Sequence, residues 1–204
     1  MCPSTWNATL HVYCSDTNIT VLPVELPALP KSYTRYKLDF SNNRLLRHLE
    51  HRDYFVNTSI LDISHCSLDT IDFELWKDLA NISQVFLDGN RLQSLPPLVA
   101  TISLVKTKVS FSRNPWKCSC DFSWLSHWLK QVQENILDPN SVICASPPRL
   151  ENRNIMGISE EQFCVDPEKR AFKRAVIVSM STVAGVVLVL LSTIFSTPVM
   201  KYTR

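Results

Sequence analysis

Cys118 and Cys120 lie two residues apart with His127 close behind, so metal coordination is the first chemistry to weigh. A structural zinc site needs four soft ligands at suitable spacing and usually opens on a C-x-x-C knuckle. The C-x-C spacing here favours disulfides, and no metal ligand set is assigned. Cys144 and Cys164 follow in irregular sequence, and spacing alone leaves three pairings of these four cysteines open. His51, Asp53 and a serine could be assembled into a hydrolase triad on paper. However, no nucleophile elbow or strand-turn-helix context supports one. The three glycines, Gly89, Gly157 and Gly185, are too scattered for a phosphate-cradling loop or a dinucleotide fingerprint. A net charge of +2 offers no electrostatic case for nucleic acid. These residues read as a binding protein without cofactor, not an enzyme.

Seven cysteines occur, beside N-x-S/T sequons at Asn7, Asn18, Asn57 and Asn81. Together they point to an oxidising, secretory compartment. Residues 175–200 carry no charge, and a helix needs roughly 20 apolar residues to cross a bilayer core. Residues 175–198 therefore read as one transmembrane helix and 199–204 as a short tail. Lys169, Arg170, Lys173 and Arg174 on its N-terminal side would by themselves place that side in the cytoplasm. The sequons and cysteines place it outside, and large domains translocate largely regardless of loop charge. The expected location is the plasma membrane, single-pass, with the N-terminal domain extracellular. Ser181 and Gly185 stand four apart, a spacing that lets two membrane helices approach closely and dimerise. Met1 is followed at once by Cys2 and Pro3, with no apolar leader, so a piece of a longer protein is expected.

The elements that must carry these features emerge from self-similarity. The pattern L-x-L-x-x-N/C-x-L aligns Leu38, Phe40, Asn43 and Leu45, then Leu61, Ile63, Cys66 and Leu68. Val85, Leu87, Asn90 and Leu92 follow, and a degenerate unit gives Val109, Phe111, Asn114 and Trp116. The ladder residues Asn43, Cys66, Asn90 and Asn114 recur at 23, 24 and 24 residues, the leucine-rich-repeat period. Each unit predicts a short strand with alternating inward residues. The Asn or Cys turns inward and bonds backbone groups of neighbouring coils, which would otherwise be buried unpaired. Ile71, Phe73, Trp76 and Leu79 are expected to fill the convex side. One coil cannot bury its apolar side alone, so coils must stack and the stack must be capped. The prolines of VLPVELPALP favour an extended path before the repeats. After them, Trp124, Leu125, Trp128 and Leu129 recur at helical spacing.

The predicted fold class is an α/β leucine-rich-repeat solenoid with a short parallel sheet on its concave face, disulfide-bonded terminal caps and one transmembrane helix. Residues 1–30 form the N-terminal cap, 31–113 about three repeats and 114–166 the C-terminal cysteine cap. The outward strand positions supply the candidate ligand face: Asp39, Ser41, Asp62, Ser64, His65, Phe86 and Asp88, with Asn42, Ser110, Ser112 and Arg113 beside them. Asp39, Asp62 and Asp88 are read as one stacked column, and Phe86 is its one large apolar residue.

The run NPWKCSC, FSWLSHWL, VICASPPRL and FC resembles the C-terminal cysteine cap of extracellular leucine-rich-repeat proteins. That resemblance implies the pairs Cys118–Cys144 and Cys120–Cys164. The order CPSTWNATLHVYCS, VLPVELP, LDFSNN, repeats, cap and apolar segment resembles the membrane-proximal end of a Toll-type receptor. The family's N-terminal cap normally uses four cysteines, of which only Cys2 and Cys14 stand here, so the resemblance does not imply that they pair. It implies ligand recognition or dimerisation in innate immune or developmental signalling, without a cytoplasmic signalling domain of its own. The partners implied are a protein ligand or co-receptor, the lipid bilayer and a homo- or heterodimer mate. The alternative is a short adhesion or co-receptor subunit similar to the small platelet glycoprotein Ib subunits.

Overall fold

The structure is a computed structural model and describes residues 4–5 and 9–165. The expected membrane helix at 175–198, the tail, Cys2, Asn7, Ser181 and Gly185 lie outside these residues. Among the described residues no helix is long and apolar enough to cross a membrane.

Strands alternate with loops and short helical turns along the chain. In order they are β1 (Ser4–Thr5), β2 (Thr9–Tyr13), β3 (Arg35–Asp39), β4 (Thr58–Asp62), β5 (Gln84–Phe86) and β6 (Lys108–Ser110). They form one sheet in that sequence order. β1 is antiparallel to β2, and every later pair is parallel. Leu10, Tyr36 and Thr58 begin the buried rows of β2, β3 and β4. The next row, Val12, Leu38, Leu61, Val85 and Val109, runs in register across five strands. All five side chains are at most 1% exposed, so this row is the spine of the core. Parallel strands need crossovers, and each coil supplies one over the convex side. In the coil after β4 the crossover is α1 (Phe73–Leu79), whose Leu75, Trp76 and Leu79 are buried. Ile71 is buried beside it, whereas Phe73 is half-buried under the Lys77 ammonium, 4.9 Å from the ring centroid.

Two features depart from the repeat pattern. β2 is a sheet strand that the pattern does not register, because its ladder position holds Thr17 instead of Asn. The Thr17 hydroxyl donates to the Cys14 carbonyl at 2.7 Å, three residues back, as Asn43 Nδ2 does to Phe40 at 2.8 Å. The first repeat also slips by one residue. Leu45 is 54% exposed and Leu46 fills the core at 0%. Cys66 in the next coil explains the slip. Asn90 and Asn114 each accept a backbone N–H from the preceding coil, from Leu68 and Leu92, both at 3.1 Å. A thiol is a poor acceptor, so the N–H of Leu45 has no such tie to hold that turn in the standard register.

The C-terminal cap closes the stack. It begins with β7 (Trp116–Lys117), then α2 (Trp124–Gln131), β8 (Cys144–Ser146) and α3 (Glu160–Phe163). β7 and β8 form a separate parallel pair. Leu125, Trp128 and Leu129 of α2 are buried, and the rings of Trp76, Phe111, Trp116, Phe122 and Trp128 make a continuous aromatic seam from the repeats into the cap. Ser159 and Gln162 form a reciprocal capping box at the start of α3.

Candidate functional site

Period-two alternation turns every second strand residue outward from the core spine. The pairing registers then sort the outward residues into rows. One row is His11, Lys37, Ile60, Gln84 and Lys108; the next is Tyr13, Asp39, Asp62, Phe86 and Ser110. Asp62 is therefore opposite Phe86, not Asp88, which corrects the three-aspartate column. Asp88 sits two residues further on, with its carbonyl accepting from the N–H of His65 at 2.8 Å.

The aspartates on this face are occupied by local bonds. Asp39 Oδ1 accepts from the N–H and hydroxyl of Ser41 at 3.0 and 2.7 Å. Asp62 repeats the arrangement with Ser64 at 2.9 and 2.7 Å. Ser41 and Ser64 are buried, as are Ser110 and Ser112, so the serine column is not offered to a partner. In the third unit Asp88 takes the serine position, and Ser110 stands at the aspartate position of the next coil. The Ser110 hydroxyl donates across the coils to Asp88 Oδ1 at 2.8 Å. Burial pushes the Asp62 carboxyl above the usual carboxylate range, its bonds to Ser64 work against that, and repulsion from Asp39 and Asp88 adds to it. What remains accessible is an amphipathic strip: half-buried Ile60 and Phe86, Tyr13 at 37% exposure, and the charged rim of Lys37 and Lys108. Such a strip has the chemistry of a protein-binding surface, with apolar anchors inside a polar margin.

Where the strands end, each coil turns through a left-handed residue. Asp16, Asn42, His65, Gly89 and Arg113 have φ of 54°, 61°, 54°, 68° and 54°, and each immediately precedes its ladder position. Of the five only Gly89 has no Cβ, and the reason is local. A Cβ there would lie 2.4 Å from Nδ1 of His65, whose ring covers the backbone of the next coil. His65 and Arg113 both face Asp88, at 3.6 and 3.2 Å.

The ladder beneath is fully bonded. Asn43 Nδ2 donates to Cys14 and Phe40 carbonyls, both at 2.8 Å, while its Oδ1 accepts from Thr17 and Ile19 N–H groups. Asn90 Nδ2 donates to Ile63 and Leu87 at 2.9 and 3.0 Å, and Asn114 Nδ2 to Leu87 at 2.9 Å. Cys66 is buried, its thiol donates to the Phe40 carbonyl at 3.3 Å, and burial pushes that thiol up to about 11.

Cys118 is bonded to Cys144 and Cys120 to Cys164, with Cα separations of 5.7 and 4.4 Å. Cys14 is disulfide-bonded as well, and Cys66 is the free cysteine among the described residues. Among the described residues His51 has no serine partner. Its Nδ1 meets Asp78 at 2.7 Å and its Nε2 meets Asp53 at 3.3 Å, an exposed tie between two coils. His127 is bonded to Gln131 on the same helix. The sequon residues Asn18, Asn57 and Asn81 are all exposed.

No family model matches the chain. Mouse trophoblast glycoprotein is 27% identical over 108 residues, 52% of this chain and 25% of that protein. Mouse chondroadherin is 30% identical over 111 residues, 52% of this chain and 29% of that protein. The Drosophila Toll–Spatzle complex contains a chain that superposes with a TM-score of 0.66 at 26% identity, over 78% of this chain and 20% of that one. The chain thus spans less than a third of the length of each of these three proteins. These relatives are extracellular or membrane-associated leucine-rich-repeat receptor and adhesion proteins, none of them enzymatic. The chain accordingly carries a C-terminal, cysteine-capped leucine-rich-repeat region like those of these non-enzymatic relatives.

Proposed function

We propose that this chain is the membrane-proximal part of a Toll-type receptor, anchored by a single helix at 175–198 with its repeats outside the cell. Its strand face recognises a protein ligand or co-receptor, in innate immune or developmental signalling, and the apolar segment supports pairing of two chains. The observation that carries this reading is the likeness of repeats plus cap to the Toll chain of the Toll–Spatzle complex. The strip of Ile60, Phe86 and Tyr13 is the supporting chemistry on this chain. Glycans at Asn7, Asn18, Asn57 and Asn81 belong to the same reading. A short adhesion or co-receptor subunit is the second reading, favoured by matches to proteins such as SLIT and NTRK-like protein 5 in mouse, at 31% identity over 84 residues.

The test uses the full chain with an N-terminal epitope, displayed on cells. The epitope should stain on intact cells, and Phe86→Ala should weaken capture of a ligand found by the parent chain, with thermal unfolding unchanged. Staining only after permeabilisation would refute the topology. An unaltered affinity would refute the assigned face.

A further inference from the structure

A second surface lies apart from the strand face, at the edge where the strands end. Asn42, Arg44, His65, Gly89 and Arg91 line a depression of about 390 Å³, floored by the ladder residues Cys66 and Asn90 and by Ser67. No carboxylate lines it. Arg44 and Arg91 directly follow the ladder residues Asn43 and Asn90, so they occupy one column two coils apart, about 10 Å at the usual strand spacing. Both are exposed, and among the described residues neither makes an ion pair or a side-chain hydrogen bond. Arg52, Arg113 and Arg149 contrast with them, each held by a carboxylate or backbone carbonyls. The backbone beneath carries no side chain at Gly89, and the His65 ring lies over it.

We infer that this depression is a binding site for the acidic side chains of a protein partner, with Arg44 and Arg91 as the paired anion receptors. A guanidinium fork matches a carboxylate bidentately, and two forks set two coils apart read two acidic residues of one segment. The same column holds Asn18 in the coil before Arg44, Ser67 between the arginines and Pro115 after Arg91, so the basic track is short and interrupted. That suits a brief acidic segment, whereas an extended polyanionic sugar chain needs a continuous stripe of positive charge. The exposed sequon residues Asn57 and Asn81 lie ahead of β4 and β5, at the opposite edge of the sheet. Glycans there lie away from the basic edge, whereas a glycan on the sequon residue Asn18 would flank its Arg44 end, one coil away. This site does not depend on the strand face carrying a ligand, because its anion receptors Arg44 and Arg91 are not on that face and only His65 and Asn42 belong to both.

The experiment measures anisotropy of a labelled Glu-rich decapeptide titrated with the full chain in detergent micelles, against a Gln-rich analogue and a heparin oligosaccharide. The Glu peptide should bind and its Gln analogue should not. The double variant Arg44→Gln/Arg91→Gln should weaken binding by at least about tenfold, the scale of losing one charged hydrogen bond. Its melting temperature should stay at the parent value, because both side chains are exposed. Arg35→Gln, exposed at the start of β3, should leave binding unchanged. The inference is overturned if the double variant binds within about twofold of the parent, the range of ordinary surface charge effects. It is equally overturned if Arg35→Gln weakens binding as much. Failure of the Glu peptide to bind, or tighter heparin binding through the same two arginines, also removes it.

Discussion

Gly89→Ala isolates the geometry of the coil turns. Two costs arise at this position. An alanine held at φ 68° pays the left-handed penalty of about 1–2 kcal/mol. Its Cβ would also stand 2.4 Å from Nδ1 and 2.7 Å from Cε1 of His65, so the imidazole must swing out. That movement gives up the 3.6 Å contact with Asp88, a partly exposed pair worth less than about 1 kcal/mol. The sum is about 2 kcal/mol, or a fall of roughly 4–8 °C in melting temperature for a chain of this size. Thermal unfolding followed by circular dichroism reads it directly. In a His65→Ala background the steric part disappears, and Gly89→Ala should cost only the backbone part, about 1–2 kcal/mol. An unchanged melting temperature would show that the turn is not left-handed at Gly89. An equal fall in both backgrounds would show that the His65 ring does not cover it.

Two further outcomes follow from the ladder and the inter-coil tie. Asn90→Ala strands the N–H of Leu68 and removes donors from the Ile63 and Leu87 carbonyls, so it should cost about 3 kcal/mol by denaturant titration. Cys66→Ala removes one weak thiol donor and should cost clearly less, and equal costs would contradict the ladder. The His51 ring is held above its ordinary value of 6.5 first by its bond to Asp78 and then by that carboxylate's charge. Its stabilising effect is therefore complete below 6.5 and is lost as pH rises through the elevated folded value. In NMR titration the His51 midpoint should lie above that of a free histidine and drop in Asp78→Asn. A midpoint unmoved by Asp78→Asn would rule out the tie.

Much of the architecture is readable from spacing because the solenoid is nearly one-dimensional. Each coil touches mainly its neighbours, so a 23–24 residue period in Asn43, Cys66, Asn90 and Asn114 translates directly into stacked strands. The misreadings occur where one side chain's chemistry breaks the pattern. Thr17 stands in for an asparagine, so β2 shows no ladder signature. Cys66 lacks a good acceptor, and Leu46 replaces Leu45 in the core. Residue type aligns Asp88 with Asp39 and Asp62, although counting back from Asn90 places it at the serine position. The basic edge at Arg44 and Arg91 has no counterpart in the repeat pattern, because the repeat leaves the position after each ladder residue unspecified and the arginines' lack of partners depends on three-dimensional surroundings.

Stacked coils sealed by cystines must fold in an oxidising compartment. Protein from intact cells, alkylated under denaturing conditions before reduction and digested, tests this by mass spectrometry. The expected map shows peptides joining Cys118 to Cys144 and Cys120 to Cys164, with alkylation at Cys66. Alkylated thiols at positions 118, 120, 144 and 164 would contradict it.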